Sequence, residues 1–249
     1  MKKINLLLIT FLNVAVCNIA FSQNIIDSNG KKQGQWEKYD EKNNLVYKGQ
    51  FKDDQPVGEF TYYYPNGNIQ TVIVHKDNNI AEAKNYFDNG ILMATGKYKD
   101  QKKQGKWEYY NKSGDLINID IFDNGKKQGV CRQYYPTTGT ILEECNYVND
   151  KKDGLLKQYF TDKSTKAEIY FRDGMYHGEA VFYYPNKQVM MEGTYCNDIK
   201  IGKWTTYNND GKVQSYVIYK NGQVVEEKYL DKQKEIEMRE NPKGIDYNE

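Results

Sequence analysis

Cys131 and Cys145 come nearest, by type and spacing, to residues that could do chemistry. They stand on the two arms of one expected hairpin, whose tip falls near Thr138. That places them nearly opposite one another, where a disulfide can form in an oxidising compartment. Two small buried residues would be placed in the same way. Cys196 falls in a turn and reads as a lone thiol. Beyond Cys17 the chain therefore holds an odd set of cysteines, which is no disulfide framework.

The other candidates offer less. His75 belongs to an aromatic column described below and reads as packing. His177 sits in the turn "RDGMYHG" and reads as a turn residue. A zinc site needs three or four convergent ligands, and no CxxC or HxxxH cluster is present. There is no Ser-centred elbow, phosphate loop or dinucleotide fingerprint. Asp and Asn recur in "DNGKKQG", "NDKKDG" and "CNDIKIG" because tight turns favour them. Acid pairs on neighbouring units imitate a glycosidase pair, but each repeats a turn position. The residues point to no enzyme, no metal and no cofactor.

The elements that position these residues are repeats. Align on the glycine before each aromatic stretch: Gly34, Gly58, Ala81, Gly105, Gly129, Gly154, Gly178 and Gly202. The spacings are 24, 23, 24, 24, 25, 24 and 24. Five residues after each anchor stands a tyrosine: Tyr39, Tyr63, Tyr86, Tyr110, Tyr134, Tyr159, Tyr183 and Tyr207. Two after it come Trp36, Phe60, Ala83, Trp107, Cys131, Leu156, Ala180 and Trp204. Seventeen after it come Phe51, His75, Tyr98, Phe122, Phe171, Tyr195 and Tyr219, with Tyr147 one place late in the fifth unit. The extra residue there sits at a turn tip, where insertions are tolerated.

Each unit reads as two short strands and two turns. "KWEYY" is one strand, "NKSGD" a turn and "LINIDIF" the second strand. Asn-Gly and Asp-Gly accept the positive φ that tight hairpins need. Connections this short exclude parallel crossovers. The expected fold is all-β: an elongated, single-layer antiparallel β-meander solenoid of about eight two-stranded, 24-residue repeats. Some 16 strands at ~4.8 Å each make a ribbon ~75 Å long. Stability must come from rings of neighbouring units stacking along it. The columns at offsets two and five have opposite parity. Either both faces carry rings or a bulge intervenes.

The ends read differently. "MKKINLLLITFLNVAVCNIAFSQ" has a basic head, a short apolar run and the small residues Ala20 and Ser22. Residues 1–22 are expected to be a secretory signal peptide, with Gln23 first in the mature chain. Bulky Val16 weighs against Cys17 as a lipid anchor, and no mature segment could span a membrane. The expected location is the periplasm, the outer membrane's surface or outside the cell. Residues 23–33 read as a half-repeat, with Ile25 and Ile26 pairing against the first hairpin. The repeat domain is expected over 34–225. Residues 226–249 form a charged cap or tail, either a short helix or solvated chain.

The unit G-x-W-x-x-Y-x-x-x-G-x-L, with its link Y-x-D-x-K-K-x-G, resembles the MORN repeat in its bacterial variant. "GKWEYYNKSGDL" with "GKYKDQKKQG", and "GEFTYYYPNGNI", are clear copies. The resemblance covers about Gly34 to Gly222. It implies an elongated ribbon that meets proteins or lipid surfaces and has no shared catalytic residue. Bacterial relatives often carry an antitoxin label.

The formal charge of +1 and the lack of a basic stripe exclude a nucleic-acid surface. With 23 Tyr against 9 Phe, the chain is built for half-wet rings. The leading expectation is a non-enzymatic, extracytoplasmic scaffold that binds a partner protein. Tyrosine supplies contact area at low entropic cost. Candidate contacts are Tyr62, Tyr64, Phe87, Tyr109, Tyr135, Phe160, Phe182 and Tyr184. Envelope glycan along an aromatic groove is the first alternative. An antitoxin-like neutraliser of a toxin protein is the second, and the expected signal peptide argues against it.

Overall fold

The computed structural model describes residues 23–230. The expected signal peptide and the segment 231–249 lie outside the described residues. Nineteen strands follow one another: β1 (Ile25–Ile26), β2 (Lys32–Tyr39), β3 (Leu45–Lys52), β4 (Gln55–Tyr63), β5 (Ile69–His75), β6 (Ile80–Tyr86), β7 (Leu92–Lys99), β8 (Lys102–Tyr110), β9 (Leu116–Asp123) and β10 (Lys126–Lys127). Then come β11 (Gly129–Tyr134), β12 (Ile141–Val148), β13 (Lys151–Tyr159), β14 (Thr165–Arg172), β15 (Met175–Tyr183), β16 (Val189–Cys196), β17 (Ile199–Tyr207), β18 (Val213–Lys220) and β19 (Gln223–Tyr229). Each pairs antiparallel with the strand before it, except that β9 pairs with both β10 and β11. The result is an open meander with no second layer among the described residues. Ile25 and Ile26 pair against β2 as the half-repeat requires. The last strand runs on to Tyr229 in register with β18, so the repeat ladder does not stop at 225.

Two kinds of turn close the hairpins, one along each margin. One margin uses tight turns in which both central residues have positive φ, such as Asp53 (52°) and Asp54 (66°), or Asn197 (50°) and Asp198 (66°). Their twist matches that of the strands they join. The other margin uses three-residue loops that end in the left-handed region. In the second unit that residue is Gly67 (83°), whose N–H donates to the Tyr64 carbonyl. Lys163 (72°) and Lys187 (70°) hold the same place without being glycine.

The anchor glycine is a bulge. Gly58, at φ 65°, stays in register with β5, but against β3 the ladder slips between Lys48↔Thr61 and Gln50↔Val57. Where Ala81 replaces glycine, the β5–β6 ladder has no slip. From Phe51 to Gly58 is seven steps (58 − 51), and from His75 to Ala81 six (81 − 75). The short unit lacks the bulge residue, so it needs no glycine.

Both faces carry rings. The offset-two residues lie on one face, called here the ring face, and the offset-five tyrosines on the other. Equivalent rings on successive units do not touch, because two strand spacings hold them about 9–10 Å apart. A ring from the intervening strand fills the gap. Trp36, Phe51, Phe60 and His75 form one such zigzag, with centroids 5.9, 5.1 and 5.4 Å apart and near-perpendicular planes. Tyr98 and Trp107 repeat it at 5.0 Å, Tyr195 and Trp204 at 4.8 Å. His75 is thus a packed ring, and burial pushes its pKa down.

Sizes alternate along the row. Phe60 lies over Gly49, Trp107 over Gly96 and Trp204 over Gly193. A Cβ on those glycines would meet the rings at 2.4, 2.3 and 2.1 Å. Ile73 and Ile169 stand instead beside Ala83 and Ala180. Buried residues gather in two clusters, one around Trp107 and Phe122 and one around Ile169 and Trp204.

Gly96→Ala is expected to lower stability by about 1–3 kcal/mol through overpacking against Trp107. In a Trp107→Ala background the same change should cost markedly less, as denaturant melts of the four chains of the cycle will show. Lys187→Gly is expected to raise stability by about 1 kcal/mol, by removing a left-handed side chain at its loop. An unchanged melting curve would contradict that account.

Candidate functional site

The ring face is the surface most unlike an ordinary sheet exterior. Three tryptophans sit in the local sequence K-x-G-x-W: Lys32 to Trp36, Lys103 to Trp107 and Lys200 to Trp204. The glycine bulge turns the lysine back over the ring four residues later. Lys103 Nζ lies 4.5 Å from the Trp107 ring, 5.2 Å from Tyr109 and 5.0 Å from Phe122, and donates to the Tyr109 hydroxyl at 2.8 Å. Lys200 Nζ is 4.3 Å from Trp204, and Lys32 Nζ 4.9 Å from Trp36. Such contacts contribute roughly 0.5–2 kcal/mol each. Burial pushes the Lys103 and Lys200 ammonium pKa values down. These three lysines form no ion pair among the described residues, whereas Lys127 and Lys152 pair with Asp120 (3.0 Å) and Glu143 (2.8 Å).

The expected contact residues separate into two groups. Tyr62, Tyr109 and Phe182 are on the ring face. Tyr62 packs at 5.7 Å on Tyr47, Tyr109 stacks at 6.3 Å on Trp107, and Phe182 leans on the second cluster. Burial raises the Tyr109 hydroxyl well above the usual tyrosine range. Tyr64, Tyr135 and Tyr184 are clamps along one margin. Their hydroxyls donate to the backbone carbonyls of Tyr86, Tyr159 and Tyr207 in the next unit, at 2.8, 2.9 and 2.9 Å. Phe87 and Phe160 fill the same column beneath Lys112 and Lys166.

On the opposite face the offset-five tyrosines meet carboxylates. Tyr159, Tyr183 and Tyr207 donate to Glu144, Glu168 and Glu192 of the preceding unit at 2.8, 3.2 and 2.6 Å. Further toward the N-terminus this face holds a trough of about 620 Å³, walled by Glu59, Glu82, Lys84, Lys97, Lys106 and Glu108 over Val72, Val74 and Thr95. Its charges largely satisfy one another, as in Lys97–Glu82 (3.4 Å) and Lys106–Glu108 (2.8 Å). The other margin is a line of turn contacts. His177 belongs there, its Nδ1 3.1 Å from the Asn197 side chain.

The centre of the ribbon breaks the pattern. Where other units place Gly, Ile, Val or Cys in the row, the fourth places Asp120. Its side chain is 6% exposed, and its Oδ1 has no hydrogen-bond partner among the described residues. Cys131 and Cys145 follow it and face one another across β11 and β12 as free thiols. The β9–β11 ladder is short, holding only Arg132↔Ile119 and Gln133↔Asn118. No group of three or more His, Cys, Asp or Glu is placed to hold a metal among the described residues.

Sequence reasoning found the thiol pair and missed the lysines, the glycine slots and Asp120. The K-x-G-x-W triplet was the available signal for the first. Glycines fifteen residues after an anchor, each eleven before an aromatic, were the signal for the second.

Asp120→Val/Lys127→Met is expected to stabilise the chain by about 1–4 kcal/mol, because it exchanges a buried, half-satisfied ion pair for apolar side chains. Thermal melting checks this, and a clear loss of stability would mean that the Asp120–Lys127 pair holds the seam.

The MORN repeat variant profile matches residues 32–53, 56–77, 176–197 and 200–221. No curated protein matches the chain. Among solved structures, a mutant of S. aureus TarM in complex with fondaparinux, α-GlcNAc-glycerol and UDP is 15% identical over 48% of this chain and 21% of its own, with TM-score 0.30. TarM itself gives 16% identity over 41% and 20%, with TM-score 0.29. This chain therefore spans about a fifth of the length of either. A porin-like protein from Bacteroides uniformis gives 10% identity over 77% and 92%, with TM-score 0.20. The matched segments lie at both ends of one continuous ladder, and these four segments are MORN repeats of the variant type.

Proposed function

We propose that this chain is an exported, non-enzymatic scaffold that binds a partner protein along its ring face. The carrying observation is an uncovered aromatic row that runs along the ladder, with Tyr62 and Tyr109 half-buried beside the fully buried Phe60 and Trp107. A rigid ladder holds these rings in fixed positions, so little side-chain entropy is lost when a partner covers them. The N-terminal sequence supports export. No helix among the described residues is long and apolar enough to cross a membrane.

One observation favours a second reading. An anion that lands on Lys103 or Lys200 lands on a tryptophan as well, which is the pairing an acidic envelope glycan would use. The test is retention of envelope proteins on the immobilised chain, run beside binding to a panel of acidic glycans. The protein reading expects at least one partner held by the wild type and lost, by roughly tenfold or more, from Tyr62→Ala/Tyr109→Ala. Equal recovery from both chains would sink it. Glycan binding that is abolished by Lys103→Gln/Lys200→Gln would put the second reading in its place.

A further inference from the structure

Two residues before the anchor, five of the eight units carry a lysine: Lys32, Lys103, Lys127, Lys152 and Lys200. Each lays its Nζ over a ring of the ring face, at 4.9 Å (Trp36), 4.5 Å (Trp107), 5.2 Å (Tyr147), 5.3 Å (Phe171) and 4.3 Å (Trp204). Asp120 and Glu143 hold Lys127 and Lys152, so those two charges are engaged within the sheet. Lys32, Lys103 and Lys200 have no carboxylate within ion-pair reach among the described residues, and Asp120 acts on Lys103 only from farther off. Partial burial strips hydration from an ammonium, and a nearby anion compensates for it.

The row limits what can lie on it. The indole N–H groups of Trp36, Trp107 and Trp204 already donate to the carbonyls of Gln33, Lys97 and Thr194. The backbone groups beneath are paired from strand to strand, so the face has no edge for an added strand to hold. An occupant meets rings and ammonium groups, with little to satisfy a sugar's hydroxyls or a β-strand's amides. A polyproline II segment suits such a face, because it needs no backbone partner and docks on aromatic rows. Its repeat fits as well. Strand steps of ~4.8 Å put Lys103 about 29 Å from Lys32, six steps along, and Lys200 about 38 Å from Lys103, eight steps along. Nine and twelve residues of polyproline II, at ~3.1 Å each, span about 28 and 37 Å. Both are whole turns of a three-residue helix, so side chains at these positions point the same way. In a β-strand, residues nine apart point to opposite faces.

We propose that the partner protein on the ring face presents a proline-rich polyproline II segment whose acidic side chains, on one face of its three-residue turn, meet Lys32, Lys103 and Lys200. This rests on the protein-binding reading above and gives the partner its chemistry. Each carboxylate closes over an ammonium that already lies on an indole, and the prolines between them cover the rings of the row. The fifth and sixth units need no acid from the partner, since Asp120 and Glu143 already hold their lysines.

The experiment titrates the full chain into a labelled peptide of Pro-Pro-Glu triplets, about 24 residues long so that it spans the three lysines. Fluorescence anisotropy reads the binding, which should weaken as salt is raised. Three control peptides should bind about tenfold or more weakly: Pro-Pro-Gln triplets, a proline chain of equal charge with Glu at every fourth residue, and Gly-Ser-Glu triplets. Lys103→Gln/Lys200→Gln should lose about tenfold or more in affinity for the Pro-Pro-Glu peptide. Lys42→Gln/Lys212→Gln, which removes the same charge from exposed loops, should bind as the wild type does. The peptide series on the wild type decides the case even where a variant folds poorly. No binding of the Pro-Pro-Glu peptide, or equal binding of the three controls, would overturn the proposal. So would tighter binding of a linear uronic acid polymer that is lost from Lys103→Gln/Lys200→Gln, which would assign the row to glycan. An envelope protein held by the wild type and lost from Tyr62→Ala/Tyr109→Ala, with no Pro-Pro-Glu peptide bound, would overturn this segment alone and leave the protein reading standing.

Discussion

A ring can touch the next strand but not its own equivalent in the next unit. Strands lie about 4.7–4.9 Å apart, so equivalent residues of successive hairpins are beyond the 4.5–7 Å reach of aromatic contact. Cohesion must therefore pass through the return strand of every unit. This constraint explains the columns as a set. The offset-seventeen ring links one offset-two residue to the next, as Phe51 does between Trp36 and Phe60. Before Phe60, Trp107 and Trp204 the preceding return strand is stripped to glycine, and before Ala83 and Ala180 it carries isoleucine. Volume is conserved across each seam rather than within each unit. That is jigsaw packing written along one dimension.

The hydroxyls and turns add a second coupling that does not depend on rings. Along one margin Tyr64, Tyr135 and Tyr184 donate to backbone carbonyls of the following unit. Along the other, turn carboxylates such as Asp54 and Asp198 accept from the N–H groups of Lys32 and Tyr176. On the face away from the rings, Glu144, Glu168 and Glu192 receive tyrosine hydroxyls from the next unit. Units are thus held to their neighbours at both margins and on both faces. A sheet with no second layer needs this, because a hairpin alone is only marginally stable.

Much of this was legible in the residues. The period, the strand count per unit and the meander follow from Gly and Tyr at fixed spacing, whereas parity leaves open whether offsets two and five lie on opposite faces or a bulge intervenes. What stayed hidden depends on the bulge. Lys103 and Trp107 are four apart, which in a regular strand gives no contact. The left-handed Gly105 shortens the path and lays the ammonium on the indole. The tyrosines at offset six looked like spare contact area, but their reach to a carbonyl some 22–24 residues away depends on how the loop at each margin projects. From Glu226 on, the strand that ends at Tyr229 reads in the sequence as the start of a charged cap or tail. Glu226 and Glu227 looked unsuited to a ladder, yet they take hydroxyls from Tyr216 and Tyr229 at its open edge.

One position answers to none of these rules. The first buried cluster ends on the strand that carries Asp120, the second begins at Ala167 on β14, and the ladder between β9 and β11 holds only two register pairs. Cys131, Cys145 and Leu156 are buried across this stretch, and Asp120 is the one buried carboxylate among the described residues of the row. An aliphatic residue at 120 would join the clusters and remove an unpaired acceptor, so its absence costs stability without any return in packing. The ladder is thus least uniform between its fourth and fifth units, on the face that carries the rings.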